Sequence, residues 1–405
     1  MLLGGCIDLG VLGGRLDGGA QVDGSVDSDA AVTMHDLAGS PDTQLPPDCK
    51  PGTRVSITPT SSTFHTSLPI EIASLTDGLF WFAGVDDGNG SNVSSTPLYT
   101  GTFKLGDAAV GRFAAVSTVN GQTITGGLRA RISRTVSKTE RLPLVFWMTT
   151  DTKAQFVTAP WPTDAQPLAF SSSNAVACPS SGILGNAVDI AAFGTDPIVA
   201  EVCGTTGAYV RGSTPFASFA PASDVRVVEY APDSAVGVFT PDASSPVRRS
   251  FFALDKTTNT PSSAVVYADV PIDITSGLAI DARHPDLSSA STQVLIAGFS
   301  ATGALEATVV DTASASAQPA SLQLVTQSTS LGVAGSNTHF VLVYEDSGDV
   351  LARFEYGIAH QWTQPVTIAK QATNPRVAAD RASGTFVVSY LASGATPALV
   401  EVTCQ

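Results

Sequence analysis

Four glutamates, Glu201, Glu306, Glu355 and Glu401, fall within or at the ends of segments that read as strands. Hydrolysis of a glycosidic bond needs two carboxylates held about 5–10 Å apart across a sugar. The four are scattered along the chain, and no short spacing joins any two of them. The five histidines, His35, His65, His284, His339 and His360, are equally dispersed. A metal site needs several such groups converging at fixed distances, and no Cys-x-x-Cys pair supports one. No Gly-x-Ser-x-Gly elbow is present to hold a serine nucleophile. The residues therefore assign no catalytic group, no metal site and no cofactor.

Residues suited to holding a ligand are easier to find. Arg129 and Arg131 lie in the basic cluster formed with Arg134, Lys138 and Arg141. In a strand both would face one side, with Leu128, Ala130 and Ile132 on the other. An arginine fork matches a carboxylate, so this pair is a candidate anion or acidic-glycan contact. A solvated strand edge is the alternative. Trp161, between Pro160 and Pro162, and Trp362 are candidate surface platforms for stacking on sugars, whereas Trp81 and Trp147 lie inside apolar runs and read as core. Asp87-Gly-Asn-Gly-Ser91 alternates oxygen ligands, but Asn92 and Leu98 stand where a calcium loop needs Gly and Glu, so a hairpin loop is expected. Asp380-Arg-Ala-Ser-Gly-Thr-Phe386 reads as a turn capped by its own aspartate.

These residues must be positioned by strands. Charged residues are only 14% of the chain, while Gly numbers 36 and Pro 25. Short apolar runs between such residues suit tight turns and strands rather than long helices. From about Thr53 the runs repeat. Phe340-Val-Leu-Val-Tyr344 lies midway between Val294-Leu-Ile-Ala-Gly298 and Phe386-Val-Val-Ser-Tyr390, at equal offsets. Four strands per roughly 45–50 residues is the period of a β-propeller blade. First strands are expected at Pro69–Ser74, Leu128–Ser133, Ala187–Ala192, Val225–Tyr230, Leu278–Ala282, Ser330–Ala334 and Arg376–Ala379. The fold expected is all-β, a seven-bladed β-propeller spanning 49–405. Thr53–Thr58 would complete the last blade and hide both sheet edges. Six or eight blades, or two stacked β-sandwiches, are the alternatives, although the sandwiches leave the even offset unexplained.

The net charge of −15 makes nucleic acid an unsuitable partner. Eight Asp and one Arg fall in residues 1–48. No run of 18 apolar residues suggests a transmembrane helix. The segment 7–48, rich in Gly, Asp, Ser and Ala and without aromatics, cannot bury enough surface to offset its ordering entropy, and is expected to be a flexible tether.

Leu3-Gly4-Gly5-Cys6 resembles the lipobox of bacterial lipoproteins, and the Gly- and Asp-rich spacer after it is similar to those of myxobacterial members. The resemblance covers residues 3–6. It implies that Cys6 is lipidated, that residues 1–6 hold the remnant of a signal peptide, and that Ile7 sorts the protein to the outer membrane. Only five residues precede Cys6, fewer than a leader's basic and apolar regions need, so the true start is expected upstream. Membrane contact would then be through the lipid anchor alone.

Four cysteines remain, with three possible connectivities. Cys178 precedes the third blade's hairpin and Cys203 ends its second strand, so these two are expected to pair. Cys49 and Cys404 flank the proposed closing strand and the last strand, and are expected to form the other bridge. The function expected is that of a monomeric binding or scaffolding module for an envelope protein or polysaccharide. The alternative is a propeller-type glycoside hydrolase or polysaccharide lyase.

Overall fold

The computed structural model describes residues 46–57, 66–76, 78–86, 98–108, 110–115, 124–132, 143–149, 154–158, 174–176, 184–191, 197–211, 214–231, 234–241, 246–255, 258, 260–261, 267–283, 293–312, 317–324, 330–357, 359–380, 383–393 and 395–405, with the backbone path alone given for 111–188. Most of the tether expected over 7–48, the Asp87–Ser91 loop, Cys6, Trp161, Cys178, His35, His65 and His284 lie outside these residues.

Among the described residues there is no helix, and thirty strands assemble into seven sheets. The first is β2 (Glu71–Thr76), β3 (Leu79–Val85), β4 (Leu98–Lys104) and β5 (Gly111–Ala115). The second is β6 (Ile124–Ile132), β7 (Pro143–Thr149), β8 (Ala154–Thr158) and β9 (Asn174–Val176). The third is β10 (Leu184–Ala191), β11 (Ile198–Cys203), β12 (Thr206–Arg211) and β13 (Thr214–Phe219). The fourth is β14 (Asp224–Ala231), β15 (Ser234–Thr240) and β16 (Arg248–Asp255), with short β17 (Thr260–Pro261) and β18 (Ala268–Asp269) on its outer edge. The fifth is β19 (Ser276–Ala282), β20 (Gln293–Phe299), β21 (Ala304–Asp311) and β22 (Ala317–Leu324). The sixth is β23 (Leu331–Gly335), β24 (Phe340–Asp346) and β25 (Asp349–Tyr356), edged by β26 (Gln361–Trp362) and β27 (Val366–Ala369). The last comprises β28 (Ala372–Ala379), β29 (Phe386–Ala392), β30 (Thr396–Cys404) and, from the other end of the chain, β1 (Cys49–Ser56). Each expected first strand overlaps the first strand of one sheet.

Every described strand pair is antiparallel, and within each sheet the first three strands in chain order follow one another as a meander. First strands of successive sheets touch in the order β2, β6, β10, β14, β19, β23, β28, and β28 touches β2. Second strands are therefore covered on both faces by neighbouring sheets. That explains why β11, β20, β24 and β29 carry near-continuous apolar runs instead of alternation. All seven residues of Phe386–Ala392 are buried. Aromatic residues fill the gaps between sheets. Phe354 of the sixth sheet meets Phe386 of the last at a ring-centroid distance of 5.8 Å, and Tyr209 and Phe219 of the third pack with Phe239 of the fourth. Burying a side chain of this size stabilises by about 1.5–3 kcal/mol.

Small residues let these rings in. A Cβ on Gly207 would stand 2.0 Å from the Phe219 ring, and one on Gly237 would stand 2.2 Å from the Tyr209 ring. Both glycines keep a strand flat where an aromatic from the next strand or sheet lies across it.

The N-terminal strand pairs β30 in antiparallel register from Cys49↔Cys404 to Ser56↔Ala398, with an irregularity between Pro51 and Arg54. It begins four residues before the expected Thr53–Thr58. Cys49 and Cys404 are disulfide-bonded, with Cα atoms 4.0 Å apart, as expected from their flanking positions. Asp48, at the expected end of the tether, exchanges backbone hydrogen bonds with Gln405 at 3.2 and 3.3 Å. Cys203 is also disulfide-bonded; it lies opposite Leu184 in the β10–β11 register.

Candidate functional site

The first strands leave one long edge each without a neighbour in its own sheet. Six of them, β2, β10, β14, β19, β23 and β28, line a common cavity of about 100 Å³. Its charged lining is Glu71, Asp189, Arg226 and Arg376; Ile72, Leu278, Leu331 and Val377 supply apolar wall, and Gly277 and Gly332 bring backbone close. A Cβ on Gly332 would stand 3.1 Å from the Arg376 Cα, so this wall tolerates no side chain.

Strand geometry puts the charges there. Arg376 lies in β28 and Glu71 in β2, the first strands of the last and first sheets. Arg376 Nε donates to Glu71 Oε1 at 2.8 Å, and Nη1 donates to Ser330 Oγ at 3.0 Å and to the Pro375 carbonyl at 2.7 Å. One guanidinium thus touches three consecutive first-strand regions around the circle, those of β23, β28 and β2. Arg226 folds back on its own strand, donating from Nη1 to Asp224 Oδ1 at 2.5 Å and to the Val225 carbonyl at 2.6 Å. Asp189 of β10 accepts from the Val227 amide of β14 at 3.1 Å.

The same device recurs away from the cavity. A side chain on one sheet satisfies an otherwise unpaired backbone group on the next, which removes the cost of burying that group. Asp281 accepts from the Gly335 amide at 2.9 Å, and Glu345 from the Asn374 amide at 3.4 Å. Among the described residues, the junction between last and first sheets carries three such links. Asp380 Oδ1 accepts from the Gly78 amide at 2.9 Å, Ser389 Oγ donates to the Ile70 carbonyl at 2.6 Å, and Glu401 Oε1 accepts from the Gly106 amide at 2.6 Å. Asp380 also caps its own turn, accepting from the Ser383 amide at 3.0 Å, as its sequence suggested.

A second ionic cluster joins the fifth and sixth sheets. The buried Glu355 carboxylate accepts from Arg283, from His360 Nδ1 at 2.7 Å and from the Phe340 amide at 3.3 Å. His339 Nδ1 stands 3.0 Å from the Glu355 carbonyl. His360 holds a positive φ of 50°, which turns its ring back onto the sheet. No spacing in the sequence signals that Arg283, some seventy residues before Glu355, would close this group.

The four glutamates named above never meet. Glu355 lies in that cluster, Glu401 bridges the last and first sheets, and Glu306 lines an outer groove of the fifth sheet with Asp273. Glu201, in the middle of β11, is fully buried, and neither carboxylate oxygen has a hydrogen-bond partner among the described residues. Desolvation pushes its pKa up to about 7. Among the described residues, no group of three or more His, Cys, Asp or Glu converges as a metal site would require.

The sequence-derived ligand contacts fare differently. Trp362 is partly buried: it pairs with Glu355 in register and packs against the apolar cluster between the fifth and sixth sheets. Arg129 and Arg131 lie in β6, opposite Phe146 and Leu144, in the first strand of the second sheet. They therefore sit on an inner strand. Arg226 and Arg376 fall in two of the expected first strands, yet no sequence pattern marks them as lining one cavity.

No protein-family model matches the chain, and no curated protein does. Solved structures do. The WD40 domain of Toxoplasma gondii coronin superposes with a TM-score of 0.52 at 13% identity, over 89% of this chain and 87% of that one. AofleA from Arthrobotrys oligospora gives 0.50 at 10% identity, over 90% and 89%. Raptor from Chaetomium thermophilum gives 0.51 at 9% identity, covering 85% of this chain and 28% of that one. The fold is a β-propeller. Identities this low extend the likeness to the fold and no further.

Proposed function

We propose that this propeller is a binding module held at the cell envelope by a lipidated Cys6, with a protein or polysaccharide of the outer membrane or periplasm as its partner. In this reading its seven sheets are seven blades closed into a ring, and β1 completes the last blade. The observation that carries it is the central cavity. Arg376, Glu71 and Asp189 tie neighbouring blades together and Arg226 is held on its own strand, so the cavity is a rigid, polar recess. Propeller loops around such a recess vary without disturbing the strands beneath, which is how one scaffold serves different ligands. Anchoring is supported by Leu3-Gly4-Gly5-Cys6 and the acidic, aromatic-free spacer, because a lipid anchor needs slack to present a folded domain at a distance.

The test has two arms, both on the full-length protein. Membrane fractionation of the native protein and Cys6→Ser compares detergent partitioning; release of the variant alone supports the anchor, and equal partitioning overturns it. Binding to an array of purified envelope polysaccharides and to purified outer-membrane proteins tests the module. Saturable capture by a defined member supports it. Turnover of a polysaccharide, read as new reducing ends or unsaturated products, overturns it in favour of an enzyme.

A further inference from the structure

The outer groove that Glu306 shares with Asp273 has a volume of about 670 Å³. It opens at the end of the fifth sheet where the β20–β21 turn meets the connection from β18 to β19. That connection alternates: Val270, Ile272 and Ile274 are buried, while Pro271, Asp273 and Thr275 are exposed. Its inner side is fixed. The Val270 amide donates to the Val247 carbonyl at 2.7 Å, the Val247 amide to the Ile272 carbonyl at 3.1 Å, and the Thr275 amide to the Phe299 carbonyl at 2.8 Å. The facing wall is the turn, where the Ser300 and Thr302 hydroxyls lie 2.9 Å apart. Gly298 lets the two walls approach, since a Cβ there would stand 2.3 Å from Ile274 Cγ2. Glu306 lies directly opposite Gly298 in the ladder. Opposed residues share a face with Cβ positions about 5 Å apart. Glu306 therefore emerges beside Ile274, and Asp273 is the next residue along the chain.

No cation answers these two carboxylates. Neither makes a hydrogen bond or ion pair among the described residues. The sequence holds no Lys or Arg from 257 to 282 or from 284 to 352. Arg248, at the start of β16, is taken by Asp269 at 3.0 Å. Pro246 and Pro271, also in the walls, have no N–H, so the groove offers mainly oxygen acceptors. The backbone amide and carbonyl of Asp273 are unpaired as well, among the described residues. We infer that this groove receives an extended, arginine-bearing segment of a protein partner. An arginine brings five donors and no acceptor, the complement of such walls, and forms charge-assisted bonds with carboxylates. The free backbone groups of Asp273 suit the main chain of an extended peptide. The volume lies within the range of about 300–1,000 Å³ usual for ligand sites. Among the described residues no aromatic ring lines the groove to stack on a sugar, and no third metal-ligating side chain joins the carboxylates. The inference rests on the binding reading above and narrows its partner to a protein.

The experiment is fluorescence-anisotropy titration of the full chain against labelled short peptides in which serine alternates with arginine, citrulline or glutamate, and against a labelled glucosamine trimer, all at physiological salt. Saturable binding of the arginine peptide alone is expected. Glu306→Gln should lower that affinity about tenfold, the loss of a charged hydrogen-bond partner. Asp273→Asn, at a more exposed position, should lower it about threefold. Asp107→Asn removes an equal charge from the first sheet and should change nothing, which separates the groove from the general attraction of an acidic protein. Unfolding curves confirm that the variants remain folded, and Asp273→Asn, on an exposed connection, keeps the test open if Glu306→Gln does not. Citrulline or glucosamine binding as tight as arginine, undiminished binding by both groove variants, or an equal loss from Asp107→Asn would each overturn the assignment. A protein that ignores the arginine peptide yet captures a polysaccharide on the array would overturn this inference and leave the binding reading intact.

Discussion

Arg376 Nε stands 2.8 Å from Glu71 Oε1, although the two residues are 305 positions apart. The pair joins the last first-strand to the first one. The Glu71 side chain is 4% exposed, so removing Arg376 takes a charged partner from a carboxylate that little water can solvate. Breaking such a pair from one side costs more than removing both partners.

Arg376→Met is therefore expected to destabilise the propeller by about 3 kcal/mol, and Arg376→Met with Glu71→Gln by clearly less. Urea unfolding of the two single variants and the double variant measures the coupling. Additive losses would show that the pair acts as two independent residues.

Glu201 should give the folded protein a distinct dependence on pH. Its carboxyl titrates near 7 in the folded state because burial disfavours the anion, against an ordinary 4.5. Below 4.5 it is protonated in both states and costs nothing. As pH rises from 4.5 to 7 the unfolded chain loses its proton first, so stability falls, and the loss is complete above pH 7. Its full size is about 3 kcal/mol. Glu201→Gln should match the native protein near pH 4 and exceed it in melting temperature at pH 8. Parallel melting curves for the two across that range would exclude the effect.

The glycines beneath aromatic rings should be intolerant. Gly207→Ala would put a methyl 2.0 Å from the Phe219 ring and Gly237→Ala would put one 2.2 Å from that of Tyr209. Overpacking of this kind costs about 1–3 kcal/mol. Gly237→Ala should be partly rescued by Tyr209→Leu, which removes the ring it strikes. Thermal melts of the single and double variants check this; a double variant worse than the sum would point to another contact.

Replacing Cys49 and Cys404 by Ser should lower stability by about 2–4 kcal/mol, less than the roughly 6 kcal/mol that chain entropy alone suggests for so long a loop. Denaturant unfolding with and without reductant provides the measurement. Reductant should lower the native protein toward the double variant and move the double variant less.

Strand placement was legible because second strands are covered on both faces. Phe340–Tyr344 and Phe386–Tyr390 carry unbroken apolar runs that mark the centre of a blade, and the equal offsets follow from stacking like units. The Cys49–Cys404 bridge was legible for a related reason: both cysteines flank strands that had to meet if the last blade borrowed a strand from the chain's other end. The site was not legible in the same way. Arg376 reaches Glu71, Ser330 and the cavity through turns of the circle that no local pattern records. Glu355 with Arg283 and His360 was missed because the partners lie on different sheets. The packing of Trp362 was not legible because it lies in a two-residue strand, too short to show a periodicity.

The bridge between Cys49 and Cys404 also changes the topology of the covalent chain. Everything between those two residues forms one closed covalent loop, separated by 355 positions along the backbone. A single cut by a protease in any connecting loop opens that loop but releases no fragment, since both pieces remain joined through sulfur. In an oxidising compartment, where such a bond persists, the propeller behaves toward degrading enzymes much as a cyclic polypeptide would.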